Sequence, residues 1–365
     1  MKNTQLPSIV HVTSYYPPHL GGMENCAYQI VNQLRQKKYK VVVLASNAGP
    51  KTKIKEEDTH YLPSIEVAHT PIYPKLINKL LSFPSHSIIH LHVSQAFSPE
   101  IVYLVSKIRK IPYVAHFHLD VDASGPFGFL LSPYKKIFLS RVLKNAKKVI
   151  ALTHEQKEEI SSKYKINKSR IVVIPNGVGK EFFIKRRKTL NHIPHLLFVG
   201  RLASQKNLTF LIEAVSKMEQ KVILDIVGDG EEKSKLKKII SDKKLKNVIL
   251  HGKKTGKELI EFYKNADIFV LTSEREGLSL SVLDAAAPGL PVVNLDNSGV
   301  SNFSSDIGVV VKRADSSYFA RALDDFCVDK NKILQLSQRA QIKAAKYSWE
   351  KMVVQIEDMY RGVMK

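Results

Sequence analysis

Glu276 and Asp284 stand eight positions apart in the stretch Ser273–Val293, SEREGLSLSVLDAAAPGLPVV. Glu276 begins a tight Glu-Gly turn. A helix is predicted to start near Leu280, which puts Asp284 about one turn inside it. The first N–H groups of such a helix point back at the turn and have no partner within the helix. Carboxylates accept hydrogen bonds from sugar hydroxyls. Helix N-termini favour phosphate. A nucleotide-sugar carries both groups.

Two cations supply the complementary chemistry. Arg201 follows Val199–Gly200, and Lys206 comes five residues later, at a predicted strand-to-helix junction. Cations there can clamp a pyrophosphate and neutralise a departing nucleotide. A solvated surface lysine is the plainer reading of any one of them, but open α/β sheets bind ligands at such strand ends. The loop Tyr15–Tyr16–Pro17–Pro18–His19–Leu20–Gly21–Gly22–Met23–Glu24 lies between a first strand and a first helix. Adjacent glycines let backbone approach a bulky anion, and the helix dipole favours its charge. The loop lacks the G-x-G-x-x-G spacing of a nicotinamide site.

His90 and His92 sit two apart on one predicted strand, and His116 and His118 on another. Period two puts each pair on one face. No third ligand has a familiar metal spacing, so no metal is expected. One histidine of each pair reads as a hydrogen-bonded core residue. His118, at its strand end before Leu119–Asp120–Val121–Asp122, reads as facing a cleft. The segment from Gly125 to Lys148 interleaves Phe127, Phe129, Leu130, Leu131, Tyr134 and Phe138 with Lys135, Lys136, Arg141, Lys144, Lys147 and Lys148. Such a mixture suits contact with a membrane surface. An ordinary helix with solvated lysines fits slightly better.

These groups need a scaffold. Apolar, β-branched runs at 8–14, 40–46, 87–92, 112–118, 148–153 and 170–175 read as buried strands. Residues 24–36 and 99–110 show helical spacing. The pattern pauses at Pro175–Asn176–Gly177 and the basic run from Lys185 to Lys188. It resumes with strands at 195–200, 222–228, 247–252, 267–273 and 291–295. This is an α/β chain with two tandem parallel sheets wrapped by helices. The tail, 348–362, reads as an amphipathic helix capped by Ser348, with Trp349, Met352, Val353, Ile356 and Tyr360 on its apolar face.

At 365 residues the chain is long enough for two domains. No apolar run approaches the roughly 18 residues of a membrane span, and the opening MKNTQLPSIVHV enters a strand too early for a secretory leader. Cys26 and Cys327 fit no disulfide or zinc framework, which suggests a reducing cytoplasm. The net charge is +22. Residues 1–180 hold 25 Lys/Arg against 11 Asp/Glu, and residues 181–365 hold 31 against 23. That excess suits an anionic partner, or simply many solvated lysines.

Taken in order, the motifs resemble the family-4 retaining glycosyltransferases of GT-B fold. They are the YPP-x-x-GG-x-E loop (Tyr16 to Glu24), HFH (116–118), VIPNGV (173–178), VGRL-x-x-x-K (199–206), IVGDG (226–230), ADIFVLTS (266–273) and E-x7-D (276–284). The resemblance implies two Rossmann-like βα domains facing a central cleft. An acceptor-side domain spans 1–179, with the helix 348–365 packing back on it, and a nucleotide-sugar donor domain spans 180–347. It implies donor contacts from Gly22, Arg201, Lys206, Glu276, Gly277, Leu278, Ser279, Leu280, Ser281 and Asp284. His118, Glu276, Arg201 and Lys206 would be the catalytic set. His19, Glu24 and Asp120 would lie on the acceptor side.

The expected reaction moves a hexose or N-acetylhexosamine from a nucleotide-diphosphate sugar to a glycan, lipid-linked or other hydroxyl acceptor. No cofactor, metal or nucleic acid is expected. The expected location is cytoplasmic, peripheral at the inner face of an anionic membrane. The sequence departs from the family pattern twice. Asp284 stands where a glutamate is usual, and Ser279 replaces the second glycine of E-G-x-G. The other readings are an epimerase of the same fold and a catalytically silent basic scaffold.

Overall fold

The computed structural model describes residues 8–19, 21–49, 56–67, 70–93, 96–120, 131–185, 189–296 and 299–364. The chain divides into two compact units. One comprises Met1–Asn176 with Trp349–Lys365, the other Gly177–Ser348.

The first unit is built on a parallel sheet of seven strands: β1 (Ile9–Thr13), β2 (Val41–Ser46), β3 (Thr59–Leu62), β6 (Ile88–Val93), β7 (Tyr113–Phe117), β8 (Lys148–Ala151) and β9 (Ile171–Val173). Their order is β3-β2-β1-β6-β7-β8-β9, so the strand order reverses between β1 and β6. A small antiparallel hairpin, β4 (Ile65–Val67) with β5 (Thr70–Ile72), stands apart. β1, β2, β6 and β7 are buried along their whole length, which explains their unbroken apolar, β-branched runs. β3 escaped the pattern because THYL is mixed in polarity and lies at the sheet edge.

The helix Gly22–Gln36 follows β1 and buries Cys26, Ala27, Ile30, Val31 and Leu34 at helical spacing. The tail helix Trp349–Met364 packs on it within the same unit. Trp349, Met352, Val353, Ile356 and Tyr360 are all buried. Lys37 and the buried carboxylate Glu357 form an ion pair at that junction.

Residues 121–130, with Phe127, Phe129 and Leu130, lie outside the described residues. After them come a helical turn Leu131–Tyr134, a π-helical stretch Lys135–Leu139 and a helix Ser140–Asn145. Leu139, Val142 and Leu143 are buried, while Ile137 and Phe138 are more than half exposed. The segment therefore both packs on the unit and keeps apolar groups outside.

The second unit holds six parallel strands: β10 (His195–Val199), β11 (Ile223–Val227), β12 (Val248–Gly252), β13 (Ile268–Leu271), β14 (Val292–Leu295) and β15 (Gly308–Val311). The order is β12-β11-β10-β13-β14-β15, which places its reversal between β10 and β13. The sequence pattern passed over β15, a four-residue edge strand of Gly and valines. Among the described residues, no helix is long and apolar enough to cross a membrane.

Candidate active site

In open α/β sheets, ligands sit beyond the carboxyl ends of strands where the order reverses. In the second unit that point lies between β10 and β13. β10 leads into Gly200, Arg201 and the short 3-10 turn Ser204–Lys206. β13 leads into 272–279 and the helix Leu280–Ala286.

Hydrogen bonds tie these two loops together. The Glu274 N–H donates to the Gln205 carbonyl at 3.1 Å, and Gln205 Nε2 donates to the Arg275 carbonyl at 2.7 Å. Thr272 Oγ1 lies 3.1 Å from the Lys206 carbonyl. The result is an ion pair between Lys206 Nζ and Glu276 Oε1, both largely shielded from solvent. Neither charge is left uncompensated, which a shielded site requires.

Two glycines let backbone meet backbone here. A Cβ on Gly299 would land on the Glu276 carbonyl oxygen, and one on Gly228 on that of Gly200. Gly228 also holds φ +151°, a conformation only glycine adopts readily. IVGDG thereby packs against the Gly200–Leu202 loop. Gly200 N–H bonds the Val227 carbonyl at 3.0 Å and Leu202 N–H the Asp229 carbonyl at 2.9 Å. Arg201 is exposed and meets the Glu231 carboxylate at 3.1 Å.

Asp284 lies in the helix Leu280–Ala286, as its spacing predicts. The residue itself is only partly buried. Burial first, and the Glu181 carboxylate second, hold its carboxyl well above the usual carboxylate range. Ser279 is the residue before that helix. Its hydroxyl lies 3.0 Å from the Ser281 hydroxyl and makes no capping bond. Leu278 is buried beside it.

In the first unit, Gly22 opens the helix after β1, with Gly21 extended before it. The His19 ring stacks on Tyr15 at 4.4 Å, and its Nδ1 lies 3.2 Å from the buried Glu24 carboxylate. Asp120 is held in an ion-pair network. Lys135 and Lys163 take its two carboxylate oxygens, and Tyr164 OH adds a third bond at 3.2 Å. Their charges hold its carboxyl below the usual range despite burial. Val121 and Asp122 lie outside the described residues.

The histidines form a continuous row. His11, His90, His92, His116 and His118 project from one face of β1, β6 and β7, ring against ring at 4.2–5.4 Å. The expectation of one core histidine per pair holds for His116 and His118 and is corrected for His90 and His92. His90, His92 and His116 are all buried, and so is His11, which the pairing pattern did not reveal. Only His118 keeps some surface. Burial holds His11 and His118 down to about 3, and the other three well below the usual imidazole value.

Two groups come close enough to share an ion: His11, His90 and His92, and Cys26, His116 and His118. In the first, both nitrogens of His90 and of His92 are already taken, by His116 and Tyr360 and by His11 and His118. In the second, burial pushes the Cys26 thiol far up, against the thiolate a metal needs.

The comparisons with known proteins agree with this architecture. The profile of "Glycosyl transferases group 1" matches residues 179–346, and that of "Glycosyltransferase Family 4" matches 20–182. A UDP-Gal:alpha-D-GlcNAc-diphosphoundecaprenol alpha-1,3-galactosyltransferase of Escherichia coli is 26% identical over 94% of each chain. A GDP-mannose-dependent alpha-mannosyltransferase of Mycobacterium tuberculosis is 24% identical over 79% of each. Among solved structures, Anabaena HepE in complex with UDP and glucose superposes with a TM-score of 0.79 at 18% identity, covering 98% of this chain and 100% of that one. With both halves matched in order and both sheets in place, the chain belongs to the family 4 glycosyltransferases of GT-B fold.

Proposed function

We propose that the chain is a retaining transferase that needs no metal. It moves a hexose or N-acetylhexosamine from a nucleotide-diphosphate sugar to a hydroxyl of a lipid-linked glycan. The observation that carries this reading is the Lys206–Glu276 pair at the switch point between β10 and β13. It offers one cation for a diphosphate and one carboxylate for sugar hydroxyls.

The bond that breaks joins the anomeric carbon to the diphosphate. Negative charge grows on the departing phosphate oxygens while the sugar becomes oxocarbenium-like. Lys206 and Arg201 stabilise that charge, which is the term of largest effect in such sites. Each arrives paired with a carboxylate, Glu276 and Glu231, and can exchange that partner for phosphate. Glu276 Oε2 makes no other hydrogen bond among the described residues and suits a sugar hydroxyl. Asp284 serves the ribose, and backbone amides from Gly277 to Ser281 serve sugar and phosphate. Retention brings the acceptor to the face that the diphosphate leaves, so a departing phosphate oxygen takes the acceptor proton. No glycosidase-type second carboxylate is then required. In this reading Gly22 is assigned to the donor phosphates, His19 and Glu24 to the acceptor, and His118 to the reacting sugar.

The names of the relatives point to the first substrates to try. The E. coli relative is named for UDP-galactose and a diphosphoundecaprenol acceptor, and the Anabaena protein was crystallised with UDP and glucose. A lipid-linked acceptor also suits the basic first half of the chain. Lys135, Lys136, Lys144, Lys163 and Lys165 line a hollow of about 550 Å³ with Tyr164, next to exposed Ile137 and Phe138. That face would meet an anionic membrane at its cytoplasmic side.

A thermal-shift panel of uridine, guanosine and adenosine diphosphate sugars should single out one uridine sugar. Lys206→Ala should then lower turnover of that donor by about one to three orders of magnitude. Normal turnover by this variant would remove Lys206, and with it the central observation.

A further inference from the structure

His11, His92 and His118 form a hydrogen-bonded line across three strands. His11 Nδ1 lies 3.0 Å from His92 Nε2, and His92 Nδ1 lies 2.9 Å from His118 Nε2. All three rings are neutral near pH 7, since burial opposes their charging. A neutral imidazole has one N–H and one bare nitrogen. Each N···N bond needs one proton and only one.

These conditions leave two arrangements. In one, His11 donates from Nδ1 to His92, and His92 donates from Nδ1 to His118. His118 then accepts at Nε2 and carries its own proton on Nδ1. In the other, every bond is reversed. His118 donates from Nε2 to His92, His92 donates from Nε2 to His11, and the proton of His11 sits on Nε2.

His11 Nε2 decides between them. It is fully buried and has no partner among the described residues. The reversed arrangement strands a buried N–H there, the rarer and costlier kind of orphan. The forward arrangement leaves only a bare lone pair. This outweighs the mild preference of free histidine for a proton on Nε2.

We propose that His11 and His92 are positioning residues that hold His118 as the Nδ1–H tautomer, so that its outer edge presents a hydrogen-bond donor and not an acceptor. The consequence for turnover rests on placing His118 at the reacting sugar. A fixed N–H donor suits a sugar or acceptor oxygen there and cannot act as a general base through the same nitrogen. The second line, Tyr360 to His90 to His116, touches His118 only by ring stacking, at 4.2 Å from His116. It should not set this tautomer.

Two-bond ¹H–¹⁵N spectra of the full-length protein labelled at histidine report each ring's tautomer. His118 should show a protonated Nδ1 and a bare Nε2. His92→Phe keeps an aromatic ring in the stack but removes the donor, so His118 should shift toward its Nε2–H form. The kcat should fall by about tenfold, the scale for losing a partner that orients a functional imidazole, with the donor KM little changed. His92→Gln can still donate an amide N–H and should restore most of both readings. Tyr360→Phe should leave the His118 tautomer as it was. His92→Leu gives a second cut at the same ring if His92→Phe does not fold, and should shift His118 the same way. A bare Nδ1 on His118 in the unaltered protein overturns the proposal, as does an unchanged His118 spectrum in His92→Phe and His92→Leu. Full turnover by His118→Ala would remove the role given to that ring while leaving the tautomer result standing.

Discussion

Asp284 shows how environment sets the task of one residue. Its carboxyl is held well above the usual range by burial and by Glu181, so the folded protein binds its proton more tightly than the unfolded chain does. A raised folded value stabilises fully below the unfolded value of about 4. That stability is lost as pH rises toward the folded value. Asp284→Asn cannot lose a proton. Its melting temperature should therefore exceed that of the unaltered protein at neutral and alkaline pH, and the gap should close near pH 4. Thermal melts across pH check this, and a constant gap would place the effect elsewhere. The same variant should bind nucleotide-sugar several-fold more weakly if the carboxylate serves the ribose. The spacing of Glu276 and Asp284 was legible in the chain. The raised proton affinity of Asp284 was not, because Glu181 stands 103 positions away and only folding brings it near.

At the scale of elements, the candidate site is a meeting of loops that strand order makes adjacent. Lys206 follows β10 and Glu276 follows β13, yet β10 and β13 are neighbours in the sheet. Runs of β-branched residues made these strands visible, and turn residues marked their ends. Edge strands β3 and β15 were missed because partial exposure and short length blur the pattern. The loop holding Glu276 depends on Gly299, which packs on the Glu276 and Gly277 carbonyls. Gly299→Ala should push that loop away from Lys206. We expect turnover to fall at least tenfold and the melting temperature to drop by several degrees, since a buried Cβ pressed on backbone oxygens costs about 1–3 kcal/mol. Activity assays beside thermal melts separate this from global unfolding. Unchanged turnover would show that the loop can shift without consequence. Nothing in the sequence around Gly299 marks this packing, since the partner carbonyls are in a different loop.

At the scale of the whole molecule, charge and topology carry different information. The net charge of +22 suits an anionic partner or simply many solvated lysines, and the proposed membrane contact places such a partner at the lysine-lined hollow beside Ile137 and Phe138. Co-sedimentation with anionic vesicles should be strong at low salt. It should weaken as salt approaches about 1 M, where the Debye length is about 3 Å. Neutral vesicles should recover little protein, and equal recovery with both would end the membrane assignment. The amino-acid order determined two parallel-sheet units, a tail helix with one apolar face and the two strand-end motifs, because burial periodicity and turn chemistry are local properties. Only the tertiary structure decided that Lys206 meets Glu276, that lysines claim Asp120, and that five histidines align as one neutral row. Each of these depends on contacts between residues distant in the chain, where strand order and burial, not neighbouring residues, set which atoms meet and which protons they keep.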